Sequence, residues 1–228
     1  MKLILENWRK YLKEEKVGMM TVDDLVENDL HILVKKSPIT DHSIDFYYAR
    51  RHERPAEDAY EILGSPAAGP VYGNVEIANY EAEVDEDGPC GLAWQVKYSQ
   101  AANKWGPLLY DVAIEYATLW GDAHCPDPKG CGGLIPDREQ VSVHARAVWD
   151  YYLNKRAGVD GFQLDDLYDT LTPDIQVDNC DQSVASFNPD DARDKNVHWP
   201  DSPLSKRYKK EPVTIDKLRE LGRFKDET

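Results

Sequence analysis

The most apolar stretch of the chain, "NKWGPLLYDVAIEYATLW", runs from Asn103 to Trp120. A helical step of about 100° per residue leaves only a narrow polar stripe on it, formed by Asp111, Glu115 and Thr118. The Gly-Pro pair ahead of the apolar run suits the first turn of a helix. The pattern therefore predicts a helix that is packed on most of its surface and turns only the polar stripe to solvent.

Shorter apolar segments on both sides of this helix alternate in the way that half-buried strands do. Stretches rich in Gly and Pro, such as "GSPAAGP", separate them and predict turns. Strands are expected in "LHILVKK", "AYEIL" at 59–63, "VYGNVEIANYEAEV" at 71–84, "GLAWQVKYS" at 91–99, "LIPD" and "GFQLDD". Helices are expected early in 21–34, from Val143 to Arg156, and in "TIDKLRELGRF" with Thr214 as its N-cap.

The stretch "FYYARRHERP" at 46–55 allows two interpretations. Its tyrosines and basic residues could line a groove for a substrate or a phosphate. An exposed strand edge would have the same composition, and both interpretations stay open at this point.

The two flanks differ in pattern from the region between them. Residues 3–15 repeat apolar residues on one helical face. Residues 160–201 hold eleven aspartates and no glutamate, without apolar periodicity, and predict an irregular surface segment fixed by Phe187 and Trp199. The predicted division is an N-terminal amphipathic helix at 1–18, a central domain at 19–166, and an acidic irregular wrap with a short C-terminal helix at 167–228.

Composition and charge narrow the class of protein. The chain has 228 residues, of which 41% are hydrophobic, and this is enough for a packed core. Its net charge of −15 disfavours contact with a nucleic-acid backbone and favours solubility or mimicry of a polyanion. No apolar run reaches the roughly 18 residues of a membrane span, and no signal-peptide pattern opens the chain. We therefore expect a cytoplasmic protein with neither nucleic acid nor membrane as partner.

The loop "HCPDPKGC" places His124, Cys125 and Cys131 close together. Thiolates and imidazole suit zinc, but paired CxxC spacing is missing and a fourth ligand would have to come from one of the other two cysteines. The aspartates between 165 and 181 lack the spacing and the terminal Glu of an EF-hand. No metal is expected.

The order of elements around the apolar helix carries a family resemblance. A strand, a turn, "GPLLYDVAIEYA", the short strand "GLIPD" and then "SVHARAVWDYYLNKRAGVDGF" together resemble the central half of the GNAT (N-acetyltransferase) superfamily, over residues 71–166. The resemblance implies an α+β fold, with a mixed central sheet flanked by helices and followed here by the irregular acidic extension. Residues 91–137 should then form strand, loop, helix and strand, with the two strands parallel and neighbouring.

The resemblance also implies a cofactor, acetyl-CoA or another acyl-CoA. In that family a strand leads the cofactor to a loop and a helix N-terminus, whose amides hold the diphosphate. Carried onto this chain, the strand residues are Val96 and Tyr98. The loop and helix-start residues are Ala102, Asn103, Lys104, Trp105 and Gly106.

The chain departs from the family pattern at three positions. Lys104 stands where the family has its first loop Gly, and Ala101 stands where it has Arg or Gln. Trp149 stands where a Tyr acts as general acid, and an indole cannot take that role. The catalytic candidates nearby are Tyr151, Tyr152 and His144.

Three functions follow as expectations. The first is an N-acyltransferase that acts on an unknown amine. The second is an inactive GNAT-like scaffold in a phage or virion, or one that binds a protein through the N-terminal helix or the acidic C-terminal segment. The opening "MKLILENWRKYL" resembles the start of phage and marine bacterial proteins, which would place the chain in a host cytoplasm or a virion. The third is an acidic polyanion mimic.

Overall fold

A computed structural model describes residues 19–37, 42–51, 60–63, 72–79, 93–102, 104–124, 132–136, 143–163 and 201–228, with backbone alone at 60–63, 143 and 144. The α-helices in these ranges are α1 (Val22–Glu27), α2 (Gly106–His124), α3 (Val143–Asn154) and α4 (Val213–Glu220). The strands are β1 (His31–Lys36), β2 (Ser43–Arg51), β3 (Tyr60–Leu63), β4 (Gly73–Ala78), β5 (Trp94–Ala101), β6 (Leu134–Ile135), β7 (Val159–Gln163), β8 (Lys206–Lys210) and β9 (Phe224–Asp226). The chain is thus an α+β protein with a mixed sheet, as predicted.

The chain divides into two compact units. The first unit comprises residues 1–78, 97–113 and 212–228, and the second comprises 79–96 and 114–211. Strand β5 and helix α2 each contribute residues to both units. None of the helices in the described ranges is long and apolar enough to cross a membrane.

The first unit is built on antiparallel strands with one parallel addition. Strand β2 is antiparallel to β1 along one edge and to β4 and then β3 along the other. Strand β9 joins the far side of β1 in parallel, with Ile32 opposite Phe224. The fully buried side chains of this sheet include Leu33, Phe46 and Tyr48, because the pleat alternates apolar residues into the core.

The stretch 46–55 is not an exposed strand edge where it is described. Residues 46–51 belong to β2, which has strand partners on both sides, and Arg50 and Arg51 alone among them are exposed. The strand-edge interpretation is therefore wrong for 46–51. Residues 52–55 lie outside the described part of the chain, and the groove interpretation stays a prediction.

The second unit contains the parallel pair that the sequence predicted. Strands β5 and β6 are neighbours and parallel, with Trp94 opposite Leu134 and Gln95 opposite Ile135. Strand β6 is antiparallel to β8, and β8 is antiparallel to β7, so the order is β7-β8-β6-β5. The prediction of strand, loop, helix and parallel neighbouring strand within 91–137 is confirmed.

The C-terminal region differs from the predicted irregular wrap at 167–228. Within it, residues 206–210 form an interior strand of the second unit, and 224–226 form a strand of the first. The predicted C-terminal helix is present, but it begins at Val213 after Pro212, and Thr214 is buried inside it instead of capping it. Residues 164–200, with Phe187 and Trp199, lie outside the described ranges, as does the predicted N-terminal helix at 1–18.

The polar stripe of α2 does not face solvent. Asp111, Glu115 and Thr118 are all buried. Glu115 forms an ion pair with Lys210, and the backbone N–H of Lys210 donates to Thr118 Oγ1 over 3.2 Å. The predicted solvent stripe is wrong because β8, a strand that sequence analysis missed, supplies a cation and a backbone donor to it. This contact explains how Glu115 and Thr118 can be buried.

Candidate functional site

The loop between β5 and α2 is held by backbone hydrogen bonds. The amide of Ala102 donates to the carbonyl of Tyr72 over 2.8 Å, and that of Trp105 donates to the carbonyl of Ala102 over 3.1 Å. The amide of Met20 donates to the Lys104 carbonyl over 3.3 Å. Two of the amides expected to hold a diphosphate are therefore already engaged, and Asn103 lies outside the described residues.

Trp105 anchors this loop in the first unit. Its ring is buried and meets the rings of Tyr48 and Tyr72 edge-on, each at 5.0 Å between centroids. The Tyr48 hydroxyl donates to the Trp105 carbonyl over 2.7 Å. Burial, and then the charge of Asp111, raises the pKa of Tyr48 well above its usual range, so its hydroxyl stays a donor. The loop is thus fixed by aromatic packing and by a neutral hydrogen bond.

Lys104 has an unusual backbone conformation. Its φ is +74°, in the left-handed region that glycine tolerates and other residues adopt at a cost of about 1–2 kcal/mol. The hydrogen bond from Trp105 to the Ala102 carbonyl spans this residue, and its own carbonyl accepts from Met20. Local strain of this kind persists only where the neighbouring structure determines the backbone.

The start of α2 offers donors beyond the loop. Gly106, Leu108 and Leu109 are buried residues of its first turn, where N–H groups have no partner within the helix, and Pro107 has no N–H. The helix dipole adds a partial positive charge at this end. An anion that reaches this point would therefore meet amides of the first turn, together with the backbone of Lys104.

The two β5 candidates differ in environment. Val96 is buried in the second unit, whereas Tyr98, in the first unit, is 44% exposed. The Tyr98 hydroxyl donates to Gln100 Oε1 over 2.9 Å. Of the two, Tyr98 is therefore the side chain that a bound molecule would meet.

The catalytic candidates belong to the second unit, on α3. Tyr152 is buried and meets the ring of Tyr151 edge-on at 5.4 Å, while Tyr151 is partly exposed. Trp149 is buried and stacks on Tyr208 at 4.9 Å between ring centroids. The side chain of His144 lies outside the described part of the structure. Of the two tyrosines, Tyr151 is thus the less buried one.

The metal question depends largely on residues outside the described ranges. His124 lies at the end of α2, where its Nδ1 is 2.7 Å from the carbonyl of Trp120 and its ring stacks on the indole at 4.3 Å. The four cysteines are outside those ranges. Among the residues that are described, no three His, Cys, Asp or Glu side chains come together to hold a metal ion.

A polar block on the first unit was missed by sequence analysis. Asp45 and Tyr47 on β2 lie directly opposite Glu76 and Asn74 on β4. Burial, and then the charge of Glu76, raises the pKa of Asp45 to about 6 although Tyr47 donates a hydrogen bond to it. The signal available in the sequence was the alternation in "SIDFYY", but the partner strand and its register could not be read from it.

No family model, curated protein or solved structure matches the chain.

Proposed function

We propose that the chain is a GNAT-like N-acyltransferase that uses acetyl-CoA or another acyl-CoA. In this reaction the nitrogen of an amine attacks the thioester carbonyl carbon and the C–S bond breaks. The amine gives up a proton, and the CoA sulfur takes one as it leaves. The observation that carries the proposal is the succession of β5, loop, α2 and β6, in which the two strands are parallel neighbours. An antiparallel pair would have contradicted the resemblance.

The loop conformation adds support. Lys104 stands at the position where the family has a glycine, and its backbone adopts the left-handed conformation that glycine favours. The backbone at this position thus has a conformation suited to glycine although the side chain is that of a lysine. We infer that the diphosphate would lie against Lys104 and the first-turn amides of α2, since the amides of Ala102 and Trp105 are engaged.

The net charge of −15 does not exclude such a ligand. Charges farther than about 8 Å from the phosphates are largely screened at physiological salt. A hydrogen bond from an amide to a charged oxygen contributes about 1.5–3 kcal/mol net, so two or three of them supply about 3–9 kcal/mol toward binding. The Lys104 ammonium would add an attractive charge at the same point.

Calorimetric titration with acetyl-CoA tests the proposal. Wild type should bind, and Lys104→Glu should weaken binding by about tenfold or more because it places a carboxylate beside the diphosphate. Lys104→Gly suits the left-handed backbone and removes the whole side chain with its ammonium without adding a negative charge, so its loss should be smaller. Lys36→Glu is the matched control, since Lys36 is exposed at the end of β1 and carries the same charge change.

Two results would contradict it. One is a folded wild-type protein that does not bind acetyl-CoA at all. The other is an equal loss of affinity in Lys104→Glu and Lys36→Glu, which would mean that only overall charge is felt. Turnover is then tested with primary amines and acetyl-CoA by following the release of free thiol.

A second candidate is a non-catalytic scaffold that binds a protein, in a virion or a host cytoplasm. The observation that favours it is Trp149, which is buried and stacked on Tyr208 at the position of the family's acid. Burial raises the pKa of Tyr208 beyond its usual range, and its hydroxyl already donates to the Pro203 carbonyl over 2.6 Å. Binding of acetyl-CoA without thiol release on any amine would support this candidate. Most of the acidic segment invoked for a protein partner or a polyanion mimic, residues 164–200, lies outside the described part of the chain, as does the predicted N-terminal helix.

A further inference from the structure

The polar block of the first unit consists of Asp45, Tyr47, Asn74 and Glu76. The register pairs Asp45 with Glu76 and Tyr47 with Asn74 across the β2–β4 ladder. Directly opposite residues of an antiparallel pair have Cβ atoms about 4.5–5.5 Å apart, and alternate residues of a strand share a face. The four side chains therefore form a two-by-two block on one face of the sheet.

The interior of this block is short of donors. Asp45 is 5% exposed and Asn74 is 7% exposed. Within the described part of the chain, Asn74 Oδ1 is buried with no hydrogen-bond partner. The Tyr47 hydroxyl, the donor that faces this group, is used by Asp45. Asn74 Oδ1 is therefore left to accept a hydrogen bond from something else, beside the carboxylates of Asp45 and Glu76, which lie directly opposite each other on the two strands.

The neighbouring cation does not relieve this arrangement. Lys35 on β1 is opposite Asp45 on its other side, but its Nζ pairs with the carboxylate of Glu227 over 3.2 Å. Like charges directly opposite each other destabilise a sheet, and a buried acceptor without a partner costs about 1–3 kcal/mol. Folded proteins tolerate such local costs chiefly at sites that bind or react.

We propose that the block binds the ammonium group of a primary amine. An ammonium has three N–H donors, and the block presents three kinds of acceptor, at Asp45, Glu76 and Asn74. Its positive charge would separate the two carboxylates and supply the partner that Asn74 Oδ1 lacks. The further statement that this amine is the acyl acceptor rests on the proposed function, whereas the binding itself does not.

Other cations fit less well. A calcium ion takes six to eight oxygen ligands, and magnesium needs a near-octahedral shell, whereas this block offers two carboxylates and one amide oxygen from the described residues. A quaternary ammonium has no N–H groups, so it would satisfy the charges but leave Asn74 Oδ1 without a donor. The ligand chemistry therefore selects a primary amine by its hydrogen bonds.

The site should also respond to pH. Asp45, with its pKa near 6, is ionised at pH 7.5 and mostly neutral at pH 5. The charged groups that face it are Glu76 from β4 and Lys35 from β1, and Tyr47 bonds it from its own strand. Protonation of Asp45 removes one acceptor charge, so ammonium affinity should fall as the pH is lowered through about 6.

Nuclear magnetic resonance titration at pH 7.5 tests the proposal, with butan-1-amine as probe and butyltrimethylammonium as its matched control. Amide signals of β2 and β4 should shift with the primary amine, and the quaternary ion should bind about tenfold more weakly. Glu76→Gln, at a partly exposed position, should weaken binding of the primary amine about tenfold. Glu220→Gln removes the same charge from an exposed helical residue and should change nothing.

Equal binding of the two probes, or equal affinity of Glu76→Gln and Glu220→Gln, would overturn the proposal. Asn74→Asp is a second variant, which adds a negative charge to the block instead of removing one. It should therefore strengthen binding of the primary amine, and weaker binding would count against the proposal. Butan-1-amine is tested without acyl-CoA. If the protein binds this amine but not acetyl-CoA, only the proposed function is contradicted. The reverse result would sink only this site.

Discussion

Glu115 and Asp45 are both carboxylates with almost no exposure to solvent, but Glu115 faces a cation and Asp45 faces another carboxylate. Glu115, in the second unit, forms an ion pair with Lys210. Asp45, in the first unit, lies directly opposite Glu76, and the lysine on its other side is engaged with Glu227. Among the described residues, one buried carboxylate is matched by a cation and the other is not.

The difference separates a structural role from a ligand role. A matched buried pair satisfies its own charges and joins two elements, as Glu115 and Lys210 join α2 to β8. An unmatched carboxylate beside an amide oxygen without a donor leaves the fold less stable than it would otherwise be. The comparison predicts that damage to the first site destabilises the protein, whereas damage to the second stabilises it.

The largest effect is expected for Lys210→Met, which leaves Glu115 buried without its cation. Removing one partner of a buried ion pair typically costs about 3–5 kcal/mol. Lys217→Met is the matched control, because Lys217 and its partner Asp23 are 2.7 Å apart with side chains 47% and 75% exposed. That variant should lose under about 1 kcal/mol. Urea unfolding measures both.

Adding Glu115→Gln to Lys210→Met should recover much of the lost stability, since the uncompensated charge is gone. Equal losses in the two single lysine variants would contradict the idea that Glu115 is matched by Lys210 in particular. The contrast between a matched Glu115 and an unmatched Asp45 would then be lost.

The next effect concerns pH. Burial and Glu76 raise the pKa of Asp45 from 3.8 to about 6 in the folded protein, so the folded state binds more protons than the unfolded state between those values. Stability from this group is therefore present at low pH and lost as the pH rises through about 6. The change is on the order of 3 kcal/mol. Asp45→Asn should remove it.

Unfolding of wild type and of Asp45→Asn at several pH values between 4 and 7 gives the difference directly. The gap in unfolding free energy should widen in favour of the variant as the pH increases. Other carboxylates, such as Asp29 with a pKa lowered by the hydrogen bond from Arg223, titrate in both proteins and cancel. A gap that does not vary with pH would show that Asp45 is not held in its neutral form.

The smallest effect is expected for Glu76→Gln, which removes the like charge opposite Asp45. Cross-strand pairs contribute about 0.2–1 kcal/mol, so the variant should be more stable than wild type by roughly 0.5 kcal/mol near neutral pH. The carboxyl carbon signal of Asp45 should also titrate at a lower pH. A less stable variant would mean that Glu76 is matched by a favourable partner, and the contrast with Glu115 would disappear.

Periodicity was enough to predict the elements whose signal is local. Apolar patterns placed α2, the parallel strands on either side of it, and α3, because each of these carries its own apolar face. The strand β8 was missed since "KRYKK" reads as a solvated charged stretch. Its burial depends on Glu115, which lies 95 residues away in sequence, and no local pattern contains that information.

The candidate sites show the same limit. The loop before α2 was located from its Gly-Pro start, but the left-handed backbone of Lys104 and the engaged amides of Ala102 and Trp105 depend on Tyr72, Met20 and the loop itself. The polar block depends on the pairing of β2 with β4, and a shift of one residue in register would separate Asp45 from Glu76. The sequence shows which side chains are present, whereas the pairing and packing of the strands determine which of them come together.

The parallel pairing of β9 with β1 determines when the sheet of the first unit can be completed during synthesis. Ile32 emerges from the ribosome early and finds its neighbour only when Phe224 has been synthesised. At the usual rate of about 5–20 residues per second, the outer edge of β1 therefore stays open for some ten seconds or more. An unpaired apolar edge of this kind is a template for pairing with another chain. During synthesis, the first unit should depend on chaperones until its last strand arrives.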